Sequence, residues 1–206
     1  MNSETANAMS SYQTSRRIVL GAIIALICLF LVFGGSLQSE LMHERIEAHG
    51  IALILIGIGG RLWSTLYIGG RKSAEVVSTG PYSVMRNPLY FFSSIAAMGI
   101  GAQTGSLVYT VIMPVLCALA FHFVTLREER YLRATLGAPY EAYLARVPRF
   151  CPKPWLFRDD TEVTFKPRLL NRTLLDGLVF LVSIPFFELI EEGQEVGWIP
   201  VLFWVH

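Results

Sequence analysis

Chemically capable side chains gather in two stretches of this chain. In the first, EVVSTGPYSVMRNPLY, the residues Tyr82, Arg86 and Tyr90 fall within nine positions. Gly80 and Pro81 mark a turn, and Asn87 before Pro88 favours extended backbone, so Pro88 is expected to open a helix at its first position. The free N–H groups of such a helix start suit a carboxylate or another polar ligand. In the second stretch, FHFVTLREERYLRATLGAPYEAYLARVPRF, Glu128 and Glu129 lie side by side between Arg127 and Arg130. A charge run of this kind is usually a solvated helix face. At a bilayer boundary, however, an acidic pair meets an anionic leaflet and calls for a positive partner, such as a cationic ligand. Tyr140 and Tyr143, three residues apart, would share one face of a short helix. His122 and Arg61 are ionisable groups within apolar stretches, which makes each a functional candidate, although a buried histidine is more often structural. Gly99 and Gly101 serve either close helix packing or the approach of a flat ring to the backbone.

The elements that must position these groups are membrane helices. The 206 residues are 53% hydrophobic and 16% charged, with a mean hydropathy of +0.48, too apolar for an ordinary water-soluble domain. A bilayer core needs about 20 apolar residues per span. Five spans are expected: Ile18 to Gly35, Ile51 to Gly69, two within the uncharged run from Leu89 to Leu126, and Leu174 to Ile190, with Pro185 kinking the last. Gln103, Thr104, Gly105 and Ser106 interrupt the uncharged run and predict a tight helical hairpin. The fourth span should continue to Leu136 with Gly137 as its C-cap. The tail from Val196 to His206 is too short to cross and should lie at the interface, anchored by Trp198 and Trp204.

With the N-terminus inside, fifteen of the seventeen Lys and Arg fall on the cytoplasmic side. Glu40, Glu44, Glu47, Glu191, Glu192 and Glu195 fall outside, so the expected orientation is N-terminus in and C-terminus out. The first stretch is read as a retained anchor, because no small-residue cleavage site follows it. A single all-α membrane domain over 1–206 is expected. It divides into two N-terminal spans (1–69), a core with the hairpin and cytoplasmic segments (70–173), and a last span with its tail (174–206).

The composition also excludes partners and chemistries. A net charge of +1 gives no basic excess for nucleic acid. Cys28, Cys117 and Cys151 have neither CxxC nor Cys/His spacing, so neither a disulfide framework nor a metal site is expected. No GxGxxG follows a strand pattern, which rules out a Rossmann unit. Any cofactor site must be built from loops and helix ends at the cytoplasmic boundary.

Taken together, VVSTGPYSVMRNPLY, the Gly-Ile-Gly at 99–101, the Glu pair and EERYLRATLGAPYEAYLARVPRFCP resemble the isoprenylcysteine carboxyl methyltransferase and phospholipid methyltransferase superfamily of integral membrane enzymes, over roughly residues 70 to 155. The resemblance implies S-adenosylmethionine as methyl donor and a pocket formed by Glu75, Val76, Val77, Tyr82, Asn87, Pro88, Tyr90, Gly99 and Gly101. Glu128 or Glu129 would meet the cofactor's ammonium or ribose. Two positions depart from the family pattern. Asn87 stands where the family often has His, which removes a titrating group. Val124 and Thr125 stand where the isoprenylcysteine enzymes have an Arg for the substrate carboxylate, leaving His122, Arg127 or Arg146 as the candidate catalytic residues.

Methyl transfer from a sulfonium is an in-line displacement that chiefly requires alignment and exclusion of water. A carboxylate acceptor needs no base, whereas an amine must first lose a proton, for which His122 is the deep imidazole on offer. The expected substrate is a lipophilic small molecule or lipidated acceptor entering from the bilayer, and a bacterial cytoplasmic membrane is the expected location. Two rival functions remain: an NADPH-dependent sterol or steroid reductase, whose C-terminal layout is similar, and a non-catalytic membrane scaffold.

Overall fold

The computed structural model describes residues 30–71 and 74–205. The expected first span falls largely outside the described residues, as do Arg16, Arg17, Cys28 and Lys72. The remainder is mostly helical. A short strand β1 (Gly34–Ser36) is followed by α1 (Glu40–Ile68), a single turn α2 (Pro81–Val84), α3 (Pro88–Ala102), α4 (Leu107–Leu136) and α5 (Ala138–Arg146). A 3₁₀ turn (Pro154–Leu156) leads to α6 (Pro167–Leu178), a second 3₁₀ turn (Val179–Val182), α7 (Ser183–Glu195) and strand β2 (Phe203–Val205). Among the described residues, α1, α4 and the run Pro167–Glu195 are long and apolar enough to cross a membrane.

The hairpin forms where Gln103 to Ser106 break the apolar run. α3 ends at Ala102, α4 starts at Leu107, and Gly105 takes the left-handed conformation (φ +62°) that the turn requires. Its first arm is shorter than a full span. The 15 residues of α3 extend about 22 Å, against a hydrocarbon core of about 30 Å. α1 departs in the opposite direction: it begins at Glu40 rather than Ile51 and reaches about 44 Å over 29 residues. Its first turns are rich in Leu, Met, Glu, Arg and Ala, good helix formers that carry the helix beyond its apolar stretch. α4 runs to Leu136 and stops at Gly137 (φ +60°), as expected.

The last helical run is tightened at Val179–Val182 instead of bent at Pro185 itself. The proline has no N–H for the Leu181 carbonyl and its ring crowds that group, so the irregularity appears one turn upstream. The tail does more than lie along an interface. β2 pairs in parallel with β1, with Gly34 opposite Phe203 and Ser36 opposite Val205. Trp198 is 84% exposed, whereas the Trp204 ring covers Gly35.

α1 and α3 approach closely through small residues. Gly50, Gly57 and Gly60 of α1 face Ala102, Ala96, Phe92 and Gly99 of α3. A Cβ on Gly57 would stand 2.7 Å from that of Ala96, and one on Gly99 would stand 2.6 Å from the Gly50 carbonyl oxygen. Ile54 and Ala96 in this seam are completely buried. Removing side chains at the crossing lets the backbones meet and gain dispersion contacts that lipid tails would otherwise supply. Gly57→Ala is therefore expected to destabilise the protein by about 1–3 kcal/mol through overpacking. Gly59→Ala, two residues away with open space around it, should be neutral or stabilising by up to about 1 kcal/mol. Unfolding in mixed micelles compares the two.

Candidate functional site

At the end of the bundle where α1 finishes and α3 begins, the loop after α1, the late turns of α4 and α5 enclose an open cleft of about 670 Å³, its mouth included. A buried ion cluster builds its wall. Glu129, with only 6% of its side chain exposed, receives Arg149 Nε and Nη2 at 3.0 and 2.7 Å and Arg86 Nη1 at 3.0 Å. Arg86 spends its other donors on backbone carbonyls, Nε to Val147 at 2.6 Å and Nη2 to Leu144 at 3.1 Å. Its own amide donates to the Pro148 carbonyl at 2.9 Å. Asn87 Nδ2 donates to the Arg149 carbonyl at 3.2 Å. One carboxylate thus ties α4, the loop before α3 and the segment after α5 together. The hydrogen bonds to Glu129 hold the Arg149 guanidinium above the usual arginine range.

Glu128 is placed differently from its neighbour. It lines the cleft and accepts a hydrogen bond from Tyr90 Oη at 3.0 Å, and the Tyr90 ring stacks on Phe121 at 4.5 Å. Tyr143 Oη donates to the Tyr82 carbonyl at 2.9 Å, which pins α5 to α2. Gly80 adopts φ +55° at the turn into α2, and its amide donates to the Arg158 carbonyl at 2.7 Å. Thr79 hydrogen-bonds Asp160 at 2.7 Å, and Tyr67 hydrogen-bonds Asp159, so the segment after α5 covers the loop.

Of the residues singled out in the sequence, Glu75, Val76, Val77, Tyr82, Asn87, Tyr90, Glu128 and Glu129 line this one cleft. Pro88 is buried as the first residue of α3. Gly99 and Gly101 lie elsewhere: Gly99 packs against α1 and Gly101 against the Tyr109 backbone, so both serve helix packing. His122 is also outside the lining and sits beside the rings of Phe123 and Phe150. Arg127 and Arg146 are exposed residues that do not line the cleft. Arg61 donates to Ser93 Oγ and lies 5.5 Å from the Phe180 ring centroid, between helices and away from the cleft.

The sequence expectations passed over Arg86 and Arg149 as the two partners of Glu129, and Tyr140 and Tyr143 as cleft residues. The signal for Arg149 was its place in RVPRF, directly after the helix bearing the two tyrosines.

Burial pushes the Tyr140 phenol up to about 12, and those of Tyr82 and Tyr143 up as well. The unfolded chain releases these protons near pH 10 while the folded chain retains them, so stability should be full below pH 10 and fall as pH rises toward about 12. Tyr140→Phe should flatten that alkaline decline in unfolding measurements across pH. Arg86→Ala should cost about 3–5 kcal/mol, because it strips one partner from a buried carboxylate. Arg86→Lys should recover only part of this, since a single ammonium cannot reproduce the fork to Glu129, Val147 and Leu144.

Comparison with known proteins gives four findings. The phospholipid methyltransferase family model matches residues 46–138, from within α1 to the start of α5. The chain is similar to the nickel-cobalt-cadmium resistance protein NccN of Alcaligenes xylosoxydans xylosoxydans, 31% identical over 196 residues that cover 93% of this chain and 91% of that protein. It is also similar to the cobalt-zinc-cadmium resistance protein CzcN of Cupriavidus metallidurans, 30% identical over 201 residues that cover 91% of this chain and 89% of that protein. No solved structure matches the chain.

Proposed function

Because the chain belongs to the isoprenylcysteine and phospholipid methyltransferase superfamily of membrane proteins, we propose that it transfers a methyl group from S-adenosylmethionine to a lipophilic or amphipathic acceptor in the cleft at the α3 start. The observation that carries this reading is the cleft's lining, in which carboxylates and phenols stand against an apolar wall. The methyl donor bears a sulfonium and an ammonium beside a flat adenine ring. Glu75 and Glu128 suit its positive groups, the rings of Tyr82 and Tyr90 suit a cation near their faces, and Val76, Val77, Leu132 and Leu136 suit the base. When bound, the cofactor supplies the electrophilic methyl group.

This chain's residues bind and align. Glu128, oriented by the Tyr90 hydroxyl, offers its charge to the cleft. Glu129, neutralised by two guanidiniums, is a positioning residue that holds the cleft's walls together. Thr125, near the family's carboxylate-binding Arg, is fully buried and bonds back to the Phe121 carbonyl, so it contributes no substrate contact. The acceptor is a bilayer component or lipidated molecule whose head reaches the level of Glu128. By the distribution of Lys and Arg, this end of the bundle faces the cytoplasm, the side on which the donor is made. The two relatives are named for resistance to nickel, cobalt and cadmium and to cobalt, zinc and cadmium, and we carry that setting over: the methylated product serves a membrane exposed to such ions.

A thermal-shift titration of detergent-purified protein tests the reading. S-adenosylmethionine and S-adenosylhomocysteine should both stabilise the protein, by about 2.7 kcal/mol at a hundredfold excess over Kd, and NADPH should not. Glu128→Gln and Tyr90→Phe should weaken that binding about tenfold, the loss of roughly one charge-assisted hydrogen bond. Stabilisation by NADPH alone would favour the reductase reading, and no shift with any of the three would favour a scaffold.

A further inference from the structure

At the other end of α1, about 37 Å from the cleft by helix rise, three potential metal ligands from two distant parts of the chain meet. His43 and Glu47 stand one turn apart on α1, and Glu191 comes from α7. His43 Nε2 lies 3.3 Å from Glu47 Oε1 and 3.3 Å from Glu191 Oε1. Nε2 itself is shut off from solvent, and these two carboxylates, both within ion-pair distance, are the groups it faces. A nitrogen so placed carries either a proton shared with these carboxylates or a metal ion in the proton's place.

The spacing is that of a coordination shell. Ligands at about 2.0–2.1 Å from a tetrahedral ion stand about 3.3–3.4 Å from one another, which is the separation found for both nitrogen–oxygen pairs. The imidazole is held in place by its surroundings. Its ring lies against Gly105, where any side chain would collide with it, and Ser36 Oγ holds the Gly105 carbonyl at 2.9 Å. Gln103 Nε2 donates to the Glu47 backbone carbonyl at 3.0 Å, which fixes that turn of α1. A cleft lined by Gln103, Thr104, Gln194 and Glu195 reaches His43 and Glu191 from outside and provides an entry path.

We infer that His43, Glu47 and Glu191 form a binding site for a divalent transition-metal ion, separate from the methyl-transfer cleft. One imidazole nitrogen and two carboxylates are a borderline donor set suited to zinc, cobalt or nickel, with a remaining position for water. No motif announces the site, because its third ligand, Glu191, comes from α7 and meets the first turns of α1 only in the folded chain.

Full-length protein in detergent, stripped with chelator, is titrated with Co²⁺ while the visible d–d absorption is recorded. One ion per chain is expected, displaced by Zn²⁺, with binding weakened by at least the ~10-fold that even an outer-shell loss costs in His43→Ala and Glu191→Gln. His49→Ala and His122→Ala should bind as the unaltered chain does. A second measurement uses the unaltered protein alone: Zn²⁺ should slow modification of His43 by diethyl pyrocarbonate and leave His49 unaffected, as read by peptide mass. Absence of Co²⁺ binding, unchanged binding in folded His43→Ala or Glu191→Gln, or His43 modification indifferent to Zn²⁺ would each overturn the inference. S-adenosylmethionine binding is read separately, so its failure would not bear on the metal site.

Discussion

The cleft exists because a carboxylate is buried between two guanidiniums. Glu129 lies on a helix that is otherwise mostly exposed to its surroundings, yet its own side chain is covered by Arg86 and Arg149. An ion withdrawn from water is tolerated only when paired and fully hydrogen-bonded. Here that demand recruits three separate segments: the loop ahead of α3, the residues after α5, and α4 itself. Hydrophobic contact alone would let these segments slide. The directional requirements of two guanidinium forks do not.

The adjacent residues Glu128 and Glu129 therefore divide their labour by helix geometry. One hundred degrees of rotation separates neighbours on a helix, so Glu129 turns into the cluster while Glu128 remains at the cleft with Tyr90. Composition alone cannot assign these roles, because both side chains are identical. The assignment follows from which side of α4 meets α5.

Much of the architecture was legible in the sequence. The uncharged run from Leu89 to Leu126, its polar break, Gly137 as a stop and the pairing of Tyr140 with Tyr143 each correspond to an observed element or contact. These are local signals, set by hydropathy and turn chemistry. The cleft-lining loop residues were legible for a related reason, since a turn followed by Pro88 dictates where the helix begins. What escaped notice was long-range. The Arg86–Glu129–Arg149 cluster joins residues 43 and 20 positions apart, and β1 meets β2 across nearly the whole described chain. Gly99 and Gly101 were ambiguous for a different reason: a missing side chain suits a ligand and a neighbouring helix equally, and only the location of α1 decides.

The parallel pairing of Gly34–Ser36 with Phe203–Val205 bears on how the protein is made. Strands this far apart in sequence impose a large loop-closure entropy and are the slowest contacts to form. The earlier strand must therefore wait, unpaired, while the ribosome completes every intervening helix. The same delay applies to His43 until Glu191 is synthesised. One end of the molecule can consolidate around Glu129 as soon as Arg149 is made, whereas the other must wait for Glu191 and for Phe203–Val205. A nascent chain truncated before α7 would retain the first half of this order and lack the second.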